Sequence, residues 1–155
     1  MSKPEASVRP ATLEDVDVLF DNIRAGDLNE MEYASRQTPY NYLLKTYEMT
    51  RSPLAGVIDG KLVALMGIVP VGLLTGEGCP WMLGTEELKK HGKIFVAFSK
   101  PTMISAAKPY TTLRNYVDVR NKQSIRWLKW LGFTIKSPVI YGPYSKPFYP
   151  FEMRK

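Results

Sequence analysis

A buried strand that runs directly into a capped amphipathic helix constrains the fold of this chain more than any other sequence feature. Residues 113–119 combine leucine, tyrosine and valine in a short run that is typical of a buried strand. Asn121 is a preferred helix N-cap, and Leu128 and Leu131 follow it at helical spacing. Gly132 ends the helix, because glycine adopts the left-handed C-terminal conformation without steric cost. A strand that feeds straight into a helix indicates an α/β domain.

The rest of the sequence predicts further strands and helices around this unit. In the first third we expect an edge strand at 7–11, a helix between Thr12 and Gly26, an acidic polar connector at 27–37, and a helix capped by Thr38. The middle of the chain predicts a hairpin of 54–58 and 62–68, a glycine-rich turn at 72–78, a short strand at 79–83, and a helix from Glu86 that Pro101 kinks or restarts. After the strand–helix unit we expect a strand from Phe133 and a last strand near Met153. This order predicts a mixed sheet with helices on both faces.

Basic charge is concentrated in the second half of the chain. Residues 1–88 carry 7 Lys and Arg against 13 Asp and Glu, whereas residues 89–155 carry 14 against only Asp118 and Glu152. Such asymmetry is typical of proteins that bind a phosphate-bearing partner, either a nucleotide-like cofactor or a nucleic acid. The alternative is a solvated, lysine-rich face without a specific partner.

The composition predicts one soluble domain. A chain of 155 residues with 45% hydrophobic residues has the size and core content of one globular unit. No apolar run reaches the roughly 18 residues of a membrane span, and no signal pattern opens the sequence. The single cysteine, Cys79, has no partner in the chain for a disulfide and is typical of a small buried side chain. We therefore expect a cytoplasmic protein without a membrane partner and without a metal site.

Two segments resemble the Gcn5-related N-acetyltransferase (GNAT) superfamily. Residues 8–15, Val-Arg-Pro-Ala-Thr-Leu-Glu-Asp, are similar to the first strand and helix of many members. Residues 117–133, with their Asn-capped helix and terminal Leu-Gly-Phe, resemble the family more specifically. The resemblance implies a single GNAT-like α/β domain over 1–155, with a mixed, mostly antiparallel sheet of about six to seven strands and helices on both faces. Residues 81–84 and 113–117 also resemble the short GNAT-like proteins of tailed bacteriophages, which would place the protein in a host cytoplasm.

The resemblance implies acetyl-CoA as acyl donor, held in a cleft between two splayed parallel strands. The pantetheine arm would pair with exposed strand backbone, and the pyrophosphate would rest at the start of the next helix. The predicted cofactor-binding residues are Trp81, Met82 and Leu83 on the strand, Lys89, Lys90, His91, Gly92, Lys93 and Ile94 at the phosphate stretch, and Asn121 and Ser124 at the following helix. The phosphate stretch departs from the family pattern, because Ile94 stands where a small residue is usual. Capping of the helix is a fully sufficient role for Asn121 and is favoured over the cofactor contact.

The resemblance also implies a base that deprotonates the acceptor amine and an acid that protonates the leaving thiolate. Asp118 resembles the strand carboxylate that some members use as base, although an ion pair with Arg120 or Arg114 explains it equally well. Glu77 is a second candidate. Many members carry a tyrosine as acid where this chain has Leu128, which leaves Ser124, Tyr116, or no enzyme-derived acid at all.

Three functions are open at this point. The first is an N-acetyltransferase that acts on a primary amine, with a protein as the preferred acceptor. The segments that would choose the acceptor carry Glu30, Glu32, Tyr33, Tyr40, Tyr144 and Tyr149. The second is a catalytically degenerate GNAT-like phage protein that binds a host or virion protein, with its aromatic tail at 141–149 as docking surface. The third, which the sequence least favours, is a nucleic-acid site on the helix with Arg126, Trp127, Lys129 and Trp130.

Overall fold

Eight strands and six helices make up the part of the chain that the computed structural model describes, residues 4–72 and 74–155. In chain order they are β1 (Ala6–Pro10), α1 (Leu13–Asp21), α2 (Ala25–Ala34), α3 (Pro39–Met49), β2 (Leu54–Ile58), β3 (Lys61–Gly72), β4 (Glu77–Gly84), α4 (Glu87–Lys90), α5 (Gly92–Ala107), β5 (Thr112–Asp118), α6 (Lys122–Leu131), β6 (Thr134–Ile135), β7 (Val139–Tyr141) and β8 (Lys146–Arg154). No helix within these ranges is both long and apolar enough to cross a membrane.

All eight strands belong to one mixed sheet. Its order is β1-β2-β3-β4-β5-β8-β6, and β7 pairs with β8 beside that path. Every pairing is antiparallel except that of β4 with β5, which is parallel. The predicted fold class is therefore confirmed, with one strand more than the upper expectation, because the aromatic tail forms the β7–β8 hairpin rather than a single strand.

Helices pack on both faces of this sheet. Along β3, Leu65 belongs to the hydrophobic cluster under α1, α2 and α3, whereas its neighbours Ala64 and Met66 belong to the cluster under α5 and α6. Successive strand residues point to opposite faces, so a strand buried on both sides reads as a continuous apolar run. That is how residues 62–68 read in the sequence.

Local signals explain several element boundaries. The hairpin of β2 and β3 turns at Asp59 and Gly60, both at positive φ, as Asp-Gly predicts. The Thr12 side chain accepts from the Asp15 N–H in a capping box at the start of α1. The Asn121 side chain caps α6, and Gly132 ends it at φ 104°. The strand–helix unit predicted from these residues is confirmed.

Two local predictions are wrong. The connector expected at 27–37 is helix α2 over most of its length, and Asp27 and Met31 are its buried residues. The helix expected from Glu86 is two helices, α4 and α5, and α5 runs from Gly92 through Pro101 to Ala107 instead of restarting there. Hydrophobic spacing could not reveal α2, because its sequence has almost no apolar stripe.

Candidate functional site

A cleft opens in the middle of the sheet where β4 and β5 part. The two strands pair only at Glu77↔Thr112 and Gly78↔Leu113. Past these pairs, the Asn115 side-chain Nδ2 donates to the Pro80 carbonyl at 2.8 Å, which is a side-chain bridge rather than a ladder bond. The strands therefore diverge from Pro80 toward the carboxyl end of β4.

The cleft-facing edge of β4 is only partly open. The Thr85 N–H donates to Val63 of β3 at 2.9 Å, so the alternate residues Met82 and Gly84 direct their backbone groups toward the cleft. The Gly84 N–H already donates to the Asp27 Oδ2 at 2.7 Å, and the Gly84 carbonyl accepts from the Arg24 N–H at 2.9 Å. Met82 has no ladder partner on that side among the described residues. Its backbone is the free edge of the strand.

A buried ion pair holds this arrangement in place. The Arg24 Nε and Nη2 donate to the Asp27 carboxylate at 2.9 to 3.0 Å, and the two side chains are 4% and 1% exposed. The Arg24 Nη1 also donates to the Gln123 Oε1 at 2.7 Å, and the Nη2 reaches the Ser124 Oγ at 3.4 Å. The linker between α1 and α2 is thereby fastened to the end of β4 and to the start of α6.

An inner cavity of about 90 Å³ runs through the sheet between the splayed strands. On the side of α2 and α3 it is lined by Glu30, Tyr42 and Trp81, and on the side of α5 and α6 by Trp127 and Leu128. Tyr116 of β5 and Tyr141 of β7 also line it. Among the described residues around it, Glu30 is the single carboxyl group and no Lys, Arg or His is present.

An outer groove of about 460 Å³ adjoins this cavity between α5 and α6. Met82, Ser124 and Trp127 line both spaces, which makes them one path. Lys93, Arg126 and Arg24 line the groove, and no Asp or Glu of the described chain does so.

Gly92 begins the 16-residue helix α5 on the wall of this groove. A Cβ at Gly92 would meet nothing nearer than the Gln123 Nε2 at 3.9 Å, so the backbone there is open to a ligand. Positive charge and a helix N-terminus together favour an anion.

Glu30 is the carboxyl group of the inner cavity. Its Oε1 accepts from the Asp118 N–H at 2.8 Å and from the Asn121 Nδ2 at 3.4 Å. Removal of the carboxyl group from water raises the pKa of Glu30 to about 8. The Asp118 N–H and Asn121 oppose this shift, and the neighbouring carboxylates of Asp27 and Asp118 add to it. A carboxyl group with this pKa is mostly protonated at neutral pH.

The two predicted bases lie elsewhere. Asp118 is 2% exposed, and its carboxylate contacts Arg120 with an Nη2–Oδ2 distance of 2.7 Å, outside the cavity wall. Glu77 lies at the closed end of the cleft, where its Oε1 contacts the Arg114 Nε at 3.0 Å. The structure brings neither carboxylate into the inner cavity.

Hydroxyl groups surround the cavity even though Leu128 stands where the sequence resemblance implied a tyrosine. Tyr116 stacks on Tyr141 with ring centroids 4.0 Å apart. Burial raises the pKa of Tyr42 to about 12, so its hydroxyl stays protonated. Ser124 lies at the junction of cavity and groove. Tyr42 was not singled out as an acid from the sequence, because in the helical pattern of α3 it is one tyrosine among several.

The predicted phosphate stretch contributes two residues to the groove, Gly92 and Lys93. Lys89 pairs with Glu86 at 2.8 Å and Lys90 with Glu87 at 3.4 Å, on the exposed side of α4. His91 joins the two helices, and Ile94 packs against the core. These four side chains lie outside the groove wall.

The other predicted cofactor contacts divide between the cleft and the core. Met82 lies at the free edge, whereas the Trp81 Nε1 donates to the Thr50 Oγ1 at 2.8 Å and Leu83 packs into the cluster under α1, α2 and α3. Asn121 is 7% exposed, and its Oδ1 accepts from the Ser124 N–H at 3.4 Å. Asn121 thus caps α6 and also contacts Glu30.

The helix proposed for stacking on nucleic-acid bases does not present two free rings. Trp127 is 9% exposed and donates to the Ser99 Oγ at 3.1 Å, whereas Trp130 is 43% exposed with the Lys100 Nζ 4.8 Å from its ring centroid. Two tryptophans that point to different environments do not make a stacking platform.

Comparison with known proteins identifies the fold. No family model and no curated protein matches the sequence. The structure is similar to spermidine N-acetyltransferase from Vibrio cholerae in complex with CoA and spermine, with a TM-score of 0.71 and 9% identity over 96% of this chain and 95% of that one. It is also similar to the GNAT domain of S. lividans PAT, with a TM-score of 0.71 and 16% identity over 97% of this chain and 90% of that one. A third similar structure is AAC(6')-Ib in complex with ribostamycin and coenzyme A, with a TM-score of 0.68 and 13% identity over 97% of this chain and 93% of that one. The chain has the GNAT fold.

Proposed function

We propose that the protein is an acyl-CoA-dependent N-acyltransferase that transfers an acetyl group to a primary amine. The observation that carries this proposal is the path through the sheet, whose outer groove is basic and whose inner cavity contains one acid. An anionic donor and a cationic acceptor would be drawn to opposite ends of such a path. The fold and the complexes of two of its neighbours with CoA support the same assignment.

The groove residues fit a CoA-like donor. The open backbone at Gly92, the N-terminus of α5, and the side chains of Lys93 and Arg126 would bind the pyrophosphate. The free N–H and C=O of Met82 would hold the pantetheine arm as an added strand. When bound, the donor supplies a thioester, which is the activated acyl group of the reaction.

We assign the role of base to Glu30, because it is the carboxyl group that lines the cavity and its pKa of about 8 is far closer to neutral pH than that of an ordinary carboxyl group. The amine gives a proton to the Glu30 carboxylate as its nitrogen bonds to the acyl carbon. The carbon–sulfur bond breaks, and the thiolate takes a proton from a hydroxyl of the cavity wall or from water. Tyr42, Tyr116, Tyr141 and Ser124 line the cavity and are the candidates for that hydroxyl.

A second candidate is a protein that binds a partner without turnover. The observation that favours it is the Gly84 backbone, whose cleft-facing donor and acceptor are occupied by Asp27 and Arg24. A pantetheine arm would therefore find one free residue of β4 instead of two. The phage origin and the host or virion partner remain predictions from the sequence resemblance.

Turnover separates these candidates and tests the base. Release of the CoA thiol would be followed with acetyl-CoA and n-hexylamine for the wild type, Glu30→Gln and Asp118→Asn. We expect Glu30→Gln to lower kcat about 100-fold, the low end of what a general base contributes, and Asp118→Asn to lower it less. The reverse order would assign the base to Asp118, and a wild type that binds donor without turnover would favour the second candidate.

A further inference from the structure

The acceptor side of the inner cavity is an aromatic chamber with one carboxyl group. Tyr42, Trp81, Tyr116, Tyr141 and Phe148 line it together with Glu30. Ring faces and a carboxylate both attract an ammonium group, and an apolar wall accommodates the methylenes behind it. The chamber therefore matches a cationic head on an aliphatic stem.

Cations near the chamber do not neutralise this preference. The Arg120 guanidinium lies 4.1 Å and the Lys146 Nζ 5.1 Å from the ring centroid of Tyr33, which is outside the cavity wall. Arg120 is in addition paired with Asp118. Inside the wall, Glu30 is the one carboxyl group of the described residues, and no Lys, Arg or His lines the cavity.

The chamber is narrow, and three of the rings in its wall contact one another. Its volume of about 90 Å³ is far below the roughly 300–1,000 Å³ of a pocket that encloses a drug-sized ligand. Tyr141 is held on one side by Tyr116, at a centroid distance of 4.0 Å, and on the other by Phe148 at 5.1 Å. Phe148 is 1% exposed. Tyr116 itself is 38% exposed, so the buried ring of Phe148 is what anchors this stack to the core.

On the basis of the proposed function, we infer that the acceptor is a primary amine at the end of a slender, unbranched aliphatic chain. Lysine side chains and linear polyamines have this chemistry, whereas amines borne directly on rings or behind branched carbons do not fit the chamber. Glu30 would bind the ammonium group of the acceptor, and the tyrosine rings would flank the methylene groups of its aliphatic chain.

Isomeric amines test the inference without changing the reactive end. The amines n-hexylamine and neohexylamine have the same atoms, but the second ends in a tert-butyl group two carbons from the nitrogen. We expect kcat/KM with saturating acetyl-CoA to favour n-hexylamine at least about 10-fold, as for a pocket that excludes extra methyl groups. Tyr116→Ala, which removes one wall, should reduce this ratio to near one, and Tyr116→Phe, which keeps the ring, should preserve it.

The outcomes separate this inference from the function on which it rests. Equal turnover of the two isomers by the wild type would overturn the inference and leave the acyltransferase intact. Absence of turnover with either amine would overturn both. A peptide with one lysine and blocked termini, compared with spermidine, then distinguishes a protein source of the slender amine from a free polyamine.

Discussion

Replacement of Glu30 by glutamine should change how the stability of the fold depends on pH. The pKa of this carboxyl is about 8 in the folded protein, against an ordinary value of 4.5. The folded state therefore holds a proton that the unfolded chain has lost between those two values. Stability from this group is present at low pH and disappears as the pH rises through about 8, because ionisation leaves a charge in the cavity wall.

The magnitude follows from these two pKa values. Between about pH 6 and about pH 9 the folded wild type loses roughly 2.5 kcal/mol of unfolding free energy through Glu30 alone. Glutamine has the same shape and cannot ionise, and its Oε1 can still accept from the Asp118 N–H and Asn121. The stability of the variant relative to the wild type should therefore rise by roughly 2.5 kcal/mol between about pH 6 and about pH 9, because only the wild type loses this contribution.

Urea unfolding at both pH values measures the difference directly. Glu32→Gln is the matched control, because Glu32 is an exposed carboxylate on the same helix, α2. This control should follow the wild type at both pH values. Parallel loss of stability in wild type and Glu30→Gln would show that Glu30 ionises normally, and would refute its assignment as a base tuned by the cavity.

Two further substitutions test the parts that hold the cleft. Arg24→Met leaves the Asp27 carboxylate buried without its cation. The free energy of unfolding, measured in urea, should therefore fall by about 3–5 kcal/mol. A loss below about 1 kcal/mol would contradict the buried pair. Gly132→Ala places a side chain on a residue whose φ is 104°, at the end of α6. This substitution should lower the free energy of unfolding by about 1–2 kcal/mol in the same measurement. An unchanged free energy of unfolding would mean that α6 ends in another conformation.

Sequence reasoning worked where a residue's own chemistry fixes its structure. Asn121 and Gly132 marked the ends of α6, and Asp59-Gly60 marked the β2–β3 hairpin, because caps and positive-φ turns are local properties. The order of elements then led to the mixed sheet, and the splay of β4 from β5 followed from the resemblance.

The site residues of α2 could not be found in this way. Glu30 owes its raised pKa to burial in the cavity, and its hydrogen-bond donor, the Asp118 N–H, lies 88 residues away in the sequence. Arg24 and Asp27 fasten the linker to Gly84 through contacts that no local pattern records. A helix without an apolar stripe looks like a polar connector until its partners are known.

The sequence around Gly92 is compatible with two local structures. Lys89 and Lys90 stand three residues after Glu86 and Glu87, which is the spacing of helical ion pairs, and the structure has these pairs on the exposed side of α4. Lysines around a glycine are also typical of anion sites, which is why the whole stretch predicts phosphate binding. Local spacing alone does not choose between the two.

The central claim is that the groove and cavity hold an acyl-CoA donor, and isothermal titration of acetyl-CoA tests it most directly. The wild type should bind with micromolar affinity, and Gly92→Ala should bind similarly, because a Cβ there meets nothing nearer than 3.9 Å. Gly92→Glu should weaken binding at least about 10-fold, since it places a carboxylate at the N-terminus of α5 among phosphates. No binding to the wild type, or equal binding to Gly92→Glu, would contradict the account.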